Sequence, residues 1–236
     1  MFGLGTIINT AAILVGGMLG GLFGKFLKES TQNTLTTVCG VSTLFIAVSG
    51  ALEEMLSVEN GAIVAGGSML IIICLAIGGF VGELLNIEDG FERFGTWLKI
   101  KSGNAKDKGF VDAFVTASLT VCIGAMAIVG SIQDGITGDY SILATKSVLD
   151  LIIIMVMTCS LGKGAVFSAS PVAVLQGSVT ALAGLLRPLM TEAALSNLSL
   201  IGNILIFCVG VNLVWGKKVK VANLLPAIVV AVLFAV

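Results

Sequence analysis

Two opposite charges, Lys146 and Asp150, stand four residues apart inside an otherwise apolar stretch from Ile142 to Leu161. Residues at that spacing share one helix face, so the ammonium can reach the carboxylate. Val148, Leu149, Leu151 and Ile152 surround Asp150, which lies about nine residues, or ~13 Å, from the start of the stretch. A charge that deep in a bilayer costs at least ~2.5 kcal/mol on insertion scales, so it must face other helices and hold a partner. Such a pair can bind a coupling ion or a polar solute, or it can simply lock helices together.

Other polar residues interrupt apolar segments in ways that suit ligand binding. Thr6, Asn9 and Thr10 fall early in the first segment, and Ser168, Ser170 and Pro171 early in the sixth. Ser170-Pro171 is a good cap followed by a first-turn proline. It predicts a break there, with a half-helix N-terminus that favours an anion or freed carbonyls that favour a cation, or else a plain proline kink. Gln133 and Asp134 close the small-residue run Gly124 to Gly135 and are expected above Lys146, or else in a plain outer turn. Gln176, Asn203 and Asn212 are further buried candidates, a class that more often cross-links helices than binds solute.

Enzyme chemistry finds little support. Histidine is absent, so no H-E-x-x-H zinc motif exists, and neither G-x-S-x-G nor a Walker loop occurs. Cys39, Cys74, Cys122, Cys159 and Cys208 fall singly in different apolar segments, where cysteine serves as a small apolar residue. No metal site or cofactor is expected. A net charge of −1 gives no footprint for nucleic acid.

The elements that must position these groups follow from composition. Of 236 residues, 56% are hydrophobic and 11% charged, where a soluble domain carries about 25% charged; mean hydropathy is +1.07. Apolar residues come in unbroken blocks, whose backbone groups must pair within the segment once in lipid. A barrel needs alternating segments of about ten residues, and Ile63–Leu85 does not alternate. The expected fold is an all-α integral membrane protein with about eight transmembrane helices, seven being the alternative. The predicted spans are Phe2–Gly24, Thr34–Leu52, Gly61–Leu85, Val111–Gly130, Ile142–Leu161, Ala165–Leu186, Leu198–Trp215 and Val221–Val236. The first begins without a basic leader and reads as a span rather than a signal peptide.

Basic residues set the orientation. With the N-terminus outside, inner loops hold 11 of the 13 Lys and Arg residues, among them Lys25, Lys28, Arg93, Lys163, Lys217 and Lys220. Outer loops keep Glu53, Glu54, Glu59, Asp134 and Asp139. The positive-inside rule then puts both termini outside, in a bacterial cytoplasmic (inner) membrane. Ile87, Phe91, Phe94 and Leu98 recur at helical spacing and predict a helix lying at the inner interface. Gly16, Gly20 and Gly24, and likewise Gly78 and Gly82, form packing ridges expected to meet helices of the same chain.

The whole chain, 1–236, reads as one transmembrane domain. Residues 1–85 form a first three-span repeat, 86–110 an inner loop, 111–161 two linking spans, and 165–236 a second three-span repeat. A shift of 162 residues pairs Gly40 with Gly202, Phe45 with Phe207 and Lys25 with Arg187. A displacement of five spans inverts orientation, giving the inverted-topology repeat of spans 1–3 and 6–8 common in secondary transporters.

Gly5-Thr6-Ile7-Ile8-Asn9 with Gly16 and Gly20, the run Gly124 to Gly135 ending Gln133-Asp134-Gly135, and Lys146-Ser147 with Asp150 together resemble a bacterial membrane family. It is the domain of unknown function 554, whose members are often labelled transport proteins without an agreed activity. The resemblance covers essentially the whole chain and implies a multi-spanning cytoplasmic-membrane protein; it implies neither substrate nor catalytic residue.

The functional expectation is a gradient-driven secondary transporter of a small solute or ion, in contact with the lipid bilayer and possible as a homo-oligomer. Its substrate- or ion-binding candidates are Asp150, Lys146, Asn9, Thr6, Ser168, Ser170, Gln133, Asp134 and Asn203. The alternatives are a non-transporting scaffold or sensor and a small channel. A water-accessible cavity lined by Asn9, Ser170 and Asp150 would mark the carrier, and Asp150 closed onto Lys146 in a packed core the scaffold.

Overall fold

The computed structural model describes residues 3–59 and 61–235; the predicted span limits at Phe2 and Val236 lie outside them. Helices dominate: α1 (Leu4–Gly24), α2 (Glu29–Met55), α3 (Ser68–Leu85), α4 (Ile87–Lys101), α5 (Phe110–Cys122), α6 (Ala125–Thr137), α7 (Ser141–Leu161), α8 (Ala169–Ala181), α9 (Ala183–Leu186), α10 (Glu192–Trp215) and α11 (Pro226–Leu233). Short 3-10 segments, Lys163–Ser168 and Val221–Leu224, lead into α8 and α11. The protein is an all-α membrane protein. Among the described residues six helices are long and apolar enough to cross a bilayer, or seven if α5 and α6 are one bent span.

The expected segments are all helical at their centres, with three corrections. Gly61–Gly67 does not join the third span: β1 (Leu56–Glu59) and β2 (Ala62–Ala65) pair antiparallel, Ser57 opposite Val64. Gly61 and Gly67 take φ of 80° and 78°, which lets the chain turn before and after the second strand at no steric cost. The fourth span is not a straight helix, because α5 and α6 meet at 61° around Gly124, whose φ of 148° ends the helical path. The eighth segment, Val221–Leu233, is a shorter apolar helix, too short to cross a hydrocarbon core of about 30 Å by itself.

The chain forms two compact units. The first contains residues 1–39, 89–122 and 126–187, and is organised on α1. Its buried face is Gly5, Thr6, Asn9, Ile13, Gly16, Gly17 and Gly20, while Ile7, Met18 and Leu22 are largely exposed. Small and polar residues inside, large apolar ones outside, is the pattern of a helix whose far face meets lipid. The predicted ridge packs within the chain. Side chains built on Gly16 and Gly20 would overlap the carbonyls of Leu151 and Met155, and Gly24 lies against Cys159. Position numbers rise together along both helices, so α1 and α7 run parallel. Gly17 meets Val166, so the start of the sixth segment lies beside the later half of α1, and that pair runs antiparallel.

The second unit contains residues 40–88, 123–125 and 188–236. Gly210 abuts Leu44, Gly40 abuts Leu213 and Val214, and Gly50 abuts Asn203; α2 and α10 are therefore antiparallel. Gly78 lies against Ala227 and Gly82 against the carbonyl of Asn223, which makes α3 antiparallel to the α11 segment. The amphipathic helix expected around Ile87 to Leu98 forms as α4, which from Asp89 onward belongs to the first unit. Phe94 stacks on Trp97 at 5.8 Å and meets the edge of Phe114.

Candidate solute-binding site

Within the first unit α7 turns Lys146, Asp150, Ile154 and Thr158 to its buried side, each four residues after the last. Lys146 is 6% and Asp150 3% exposed. The ammonium of Lys146 donates to Asp150 Oδ2 and also to the carbonyl of Val121, at 2.9 Å. Val121 lies in the last turn of α5, whose carbonyls have no helical partner once the chain breaks at Gly124. Lys146 thus serves two needs: it neutralises Asp150 and caps the C-terminal end of a half-helix, where a cation is favoured by the helix dipole. Asn9, fully buried on α1, donates from Nδ2 to the same carboxylate oxygen at 3.0 Å.

The run ending in Asp134 packs on α7, with Gly130 against Ile142 and Leu143, and Asp134 also reaches α1. Its carboxylate accepts the backbone N–H of Gly3 at 3.2 Å and of Gly5 at 2.9 Å. A fully buried carboxylate on α6 therefore completes the N-terminus of α1, where orphan N–H groups and the dipole favour negative charge. Gly135, beside it, lies against the carbonyl of Thr180, so the end of α8 sits near the start of α1. Gln176, four residues before Thr180, is then at about the level of Thr6 to Asn9, taking 1.5 Å per residue.

Several buried polar atoms lack a hydrogen-bond partner among the described residues, Thr6 Oγ1, Asn9 Oδ1 and both amide atoms of Gln176 near the level of the pair, and Thr158 Oγ1, Ser168 Oγ and Thr180 Oγ1 farther from it. All seven belong to the first unit. A buried group without a partner costs about 1–3 kcal/mol, so a concentration of them in one unit calls for water, ion or solute.

The structure thus brings Asn9, Lys146 and Asp150 into direct contact, with Thr6 on the same buried face of α1. Gln133 instead donates to Asp139 Oδ2 at 2.8 Å, where the N–H of Ser141 holds the exposed Asp139 carboxyl below its usual range. The helix break expected at Ser170-Pro171 does not form. A 3-10 segment runs directly into α8, Ser168 has helical φ and ψ and caps nothing, and the Ser170 hydroxyl turns back to the carbonyl of Phe167 at 2.8 Å. The proline removes one N–H in the first turn, where it has no helical partner anyway. Asn203 belongs to the second unit, where its amide approaches Ser199 Oγ at 3.4 Å.

Reading by residue type overlooks three groups. Thr158 carries a signal, the four-residue spacing after Asp150. Glu88 and Asn223 carry none. Asn223 Oδ1 accepts the N–H of Glu88 at 2.7 Å, its Nδ2 donates to Glu83 at 2.6 Å, and Glu88 accepts the N–H of Ala222.

Buried charge, broken helices and large apolar side chains turned outward define a polytopic membrane protein with a polar centre. Residues 4–236 match the family described as "Protein of unknown function (DUF554)", to which the chain belongs. It is 28% identical to the uncharacterized membrane protein YdfK of Bacillus subtilis (strain 168), over 96% of this chain and 93% of that one. Identity is also 28% to the uncharacterized protein YqgA of Escherichia coli (strain K12), over 97% and 94% of the two chains. No solved structure matches significantly.

Proposed function

We propose that this chain is a gradient-driven secondary transporter of a small polar solute or ion, bound between α1, α7 and α8 beside the Lys146–Asp150 pair. The observation that carries the reading is the set of unpartnered buried polar atoms in the unit that holds the pair. Asn9 Oδ1, Thr6 Oγ1 and Gln176 Oε1 can accept, and Gln176 Nε2 can donate. Bundles hold buried polar groups for helix association too, but association satisfies them, and these are unsatisfied.

Helix directions support a path of eight alternating segments with both termini on one side, and the placement of Lys and Arg makes that side the outside of an inner membrane. The first and fifth run parallel; the pairs one–six, two–seven and three–eight each run antiparallel, as alternating crossings require. These three pairs are also the counterparts of an inverted repeat. A pseudo-two-fold axis in the membrane plane places counterparts antiparallel, and alternating access then moves one group of helices against another. The half-helix end at Val121, capped by Lys146, is the kind of interrupted span found at transporter sites.

A specific observation favours a second reading. Asp150 is closed onto Lys146, the arrangement expected of a scaffold. Gln176→Leu separates the two readings. Both its amide atoms are unpartnered, so an apolar replacement of similar size leaves the fold at least as stable in a dry core. Thermal unfolding of the purified protein is measured against a panel of ions, amino acids and small carboxylates. A ligand that stabilises the wild type and not Gln176→Leu supports transport. No stabilising ligand across the panel, with the variant more stable than wild type, sinks it in favour of the scaffold.

A further inference from the structure

The first unit holds a pocket of about 420 Å³, in the size range of small-ligand sites, at the opposite end of α1 from Asp134. Its floor exists because α1 has Gly17 and Gly21 there rather than side chains. Met18 and Leu22 of α1 and Val166 and Phe167 of the 3-10 segment form apolar walls. Met18 is 62% and Leu22 56% exposed, so the wall continues onto the outward apolar face of α1.

Polar groups gather at one side. Lys25 and Lys163, both exposed, line the pocket from the ends of two different elements, with Asn104 beside them. Thr158, 4% exposed, also lines it, and its hydroxyl has no hydrogen-bond partner among the described residues. Two cations at one side and an apolar wall leading to the outward apolar face of α1 describe a receptor for a molecule with one charged and one greasy end.

We infer that this pocket is a binding site for an anionic amphiphile, with a phosphate headgroup between Lys25 and Lys163 and an acyl chain along Met18 and Leu22. A negatively charged phospholipid of the inner leaflet has this chemistry. Basic pockets between helices on that side attract such headgroups through charge and hydrogen bonding together. The site is separate from Asp150, which lies eight residues from Thr158 on α7, about 12 Å along the helix.

The test uses the full chain purified in neutral detergent. Thermal unfolding is followed with added short-chain phosphatidylglycerol, short-chain phosphatidylcholine, or inorganic phosphate. Phosphatidylglycerol raises the unfolding temperature of the wild type by several degrees, and phosphatidylcholine does not. Lys25→Gln/Lys163→Gln, altering exposed side chains only, loses most of that rise while unfolding like the wild type without lipid. Gly21→Leu fills the pocket instead: a Cβ there meets nothing closer than Thr158 Cγ2 at 3.9 Å and the rest of the side chain has the pocket to enter, so the protein folds but no longer responds to the lipid. Equal shifts with both lipids, or an undiminished response in both variants, overturn the proposal. A rise reproduced in full by inorganic phosphate overturns the lipid assignment and leaves a free-anion site.

Discussion

Replacing Asp150 by asparagine keeps its shape and removes its charge. Lys146, 6% exposed, is then left with neutral acceptors only, the Val121 carbonyl and the new amide oxygen, and no counter-charge. Removing one member of a buried ion pair costs about 3–5 kcal/mol, because the other charge remains desolvated. At 1.4 kcal/mol per factor of ten, the folding equilibrium falls by roughly two to three and a half orders of magnitude. Lys146→Met strands Asp150 with only the Asn9 amide and should cost a comparable amount. The double variant Lys146→Met/Asp150→Asn removes both charges together. The new amide oxygen at position 150 still accepts from Asn9 Nδ2, and the main loss is the donor to Val121, about 1 kcal/mol.

The expected order of unfolding temperatures is wild type, then the double variant, then both single variants. Size-exclusion chromatography of heated, detergent-solubilised protein gives the four values for a double-mutant cycle. An Asp150→Asn variant as stable as the wild type would show that the pair is open in the native state. A double variant less stable than both singles would show that the two losses add and each residue contributes on its own, against the desolvation argument. Either result removes the basis for treating Lys146 and Asp150 as one coupled unit.

Three further outcomes are expected. Gly16→Ala places a methyl well under 3.0 Å from the Leu151 carbonyl and should lose about 1–3 kcal/mol through overpacking, measured as a fall in unfolding temperature; Gly21→Ala, with 3.9 Å of clearance, should lose nothing. Asn223→Leu leaves the buried N–H of Glu88 without its acceptor and should cost about 1–3 kcal/mol, whereas Asn197→Ala, which gives up a single amide donor to the Ala231 carbonyl, should cost less; equal losses would refute a keystone role for Asn223. On a cysteine-free background, Asp139→Cys should react with an impermeant thiol reagent from outside intact cells and Lys106→Cys only after permeabilisation. Labelling of position 106 in intact cells would reverse the orientation.

The parts of this fold legible in the sequence are those written in one-dimensional spacing. Lys146 and Asp150 are four apart, and the structure pairs them. The glycine ridges at 16, 20 and 24 predict a close helix contact within the chain, and α7 supplies it. What spacing does not carry is the identity of a partner distant in the chain. Asp134 looks like an outer-turn carboxylate until its acceptors are seen to complete α1, 129 residues away from Gly5. Glu88 looks solvated because it opens an amphipathic helix, yet it is 4% exposed and fastened to Asn223 and Ala222.

The misplaced helix break shows where propensity ends and tertiary need begins. Ser170-Pro171 has the local chemistry of a helix start, and the chain uses it as one, without opening a gap, since proline in a first turn breaks no bond. Cys122 to Ala125 holds no proline, yet there the helix stops and its path swings by 61°. A break in a span leaves carbonyls that lipid cannot satisfy, so it persists only where another element supplies a donor. Lys146 is that donor for Val121, and Asp150 holds Lys146 in place. The pair therefore has a structural reason to exist at the break, and the unsatisfied Asn9, Thr6 and Gln176 atoms are what distinguish a site from a brace. On the proposed reading the pair holds the bend, and the polar atoms beside it are the ones a solute would satisfy.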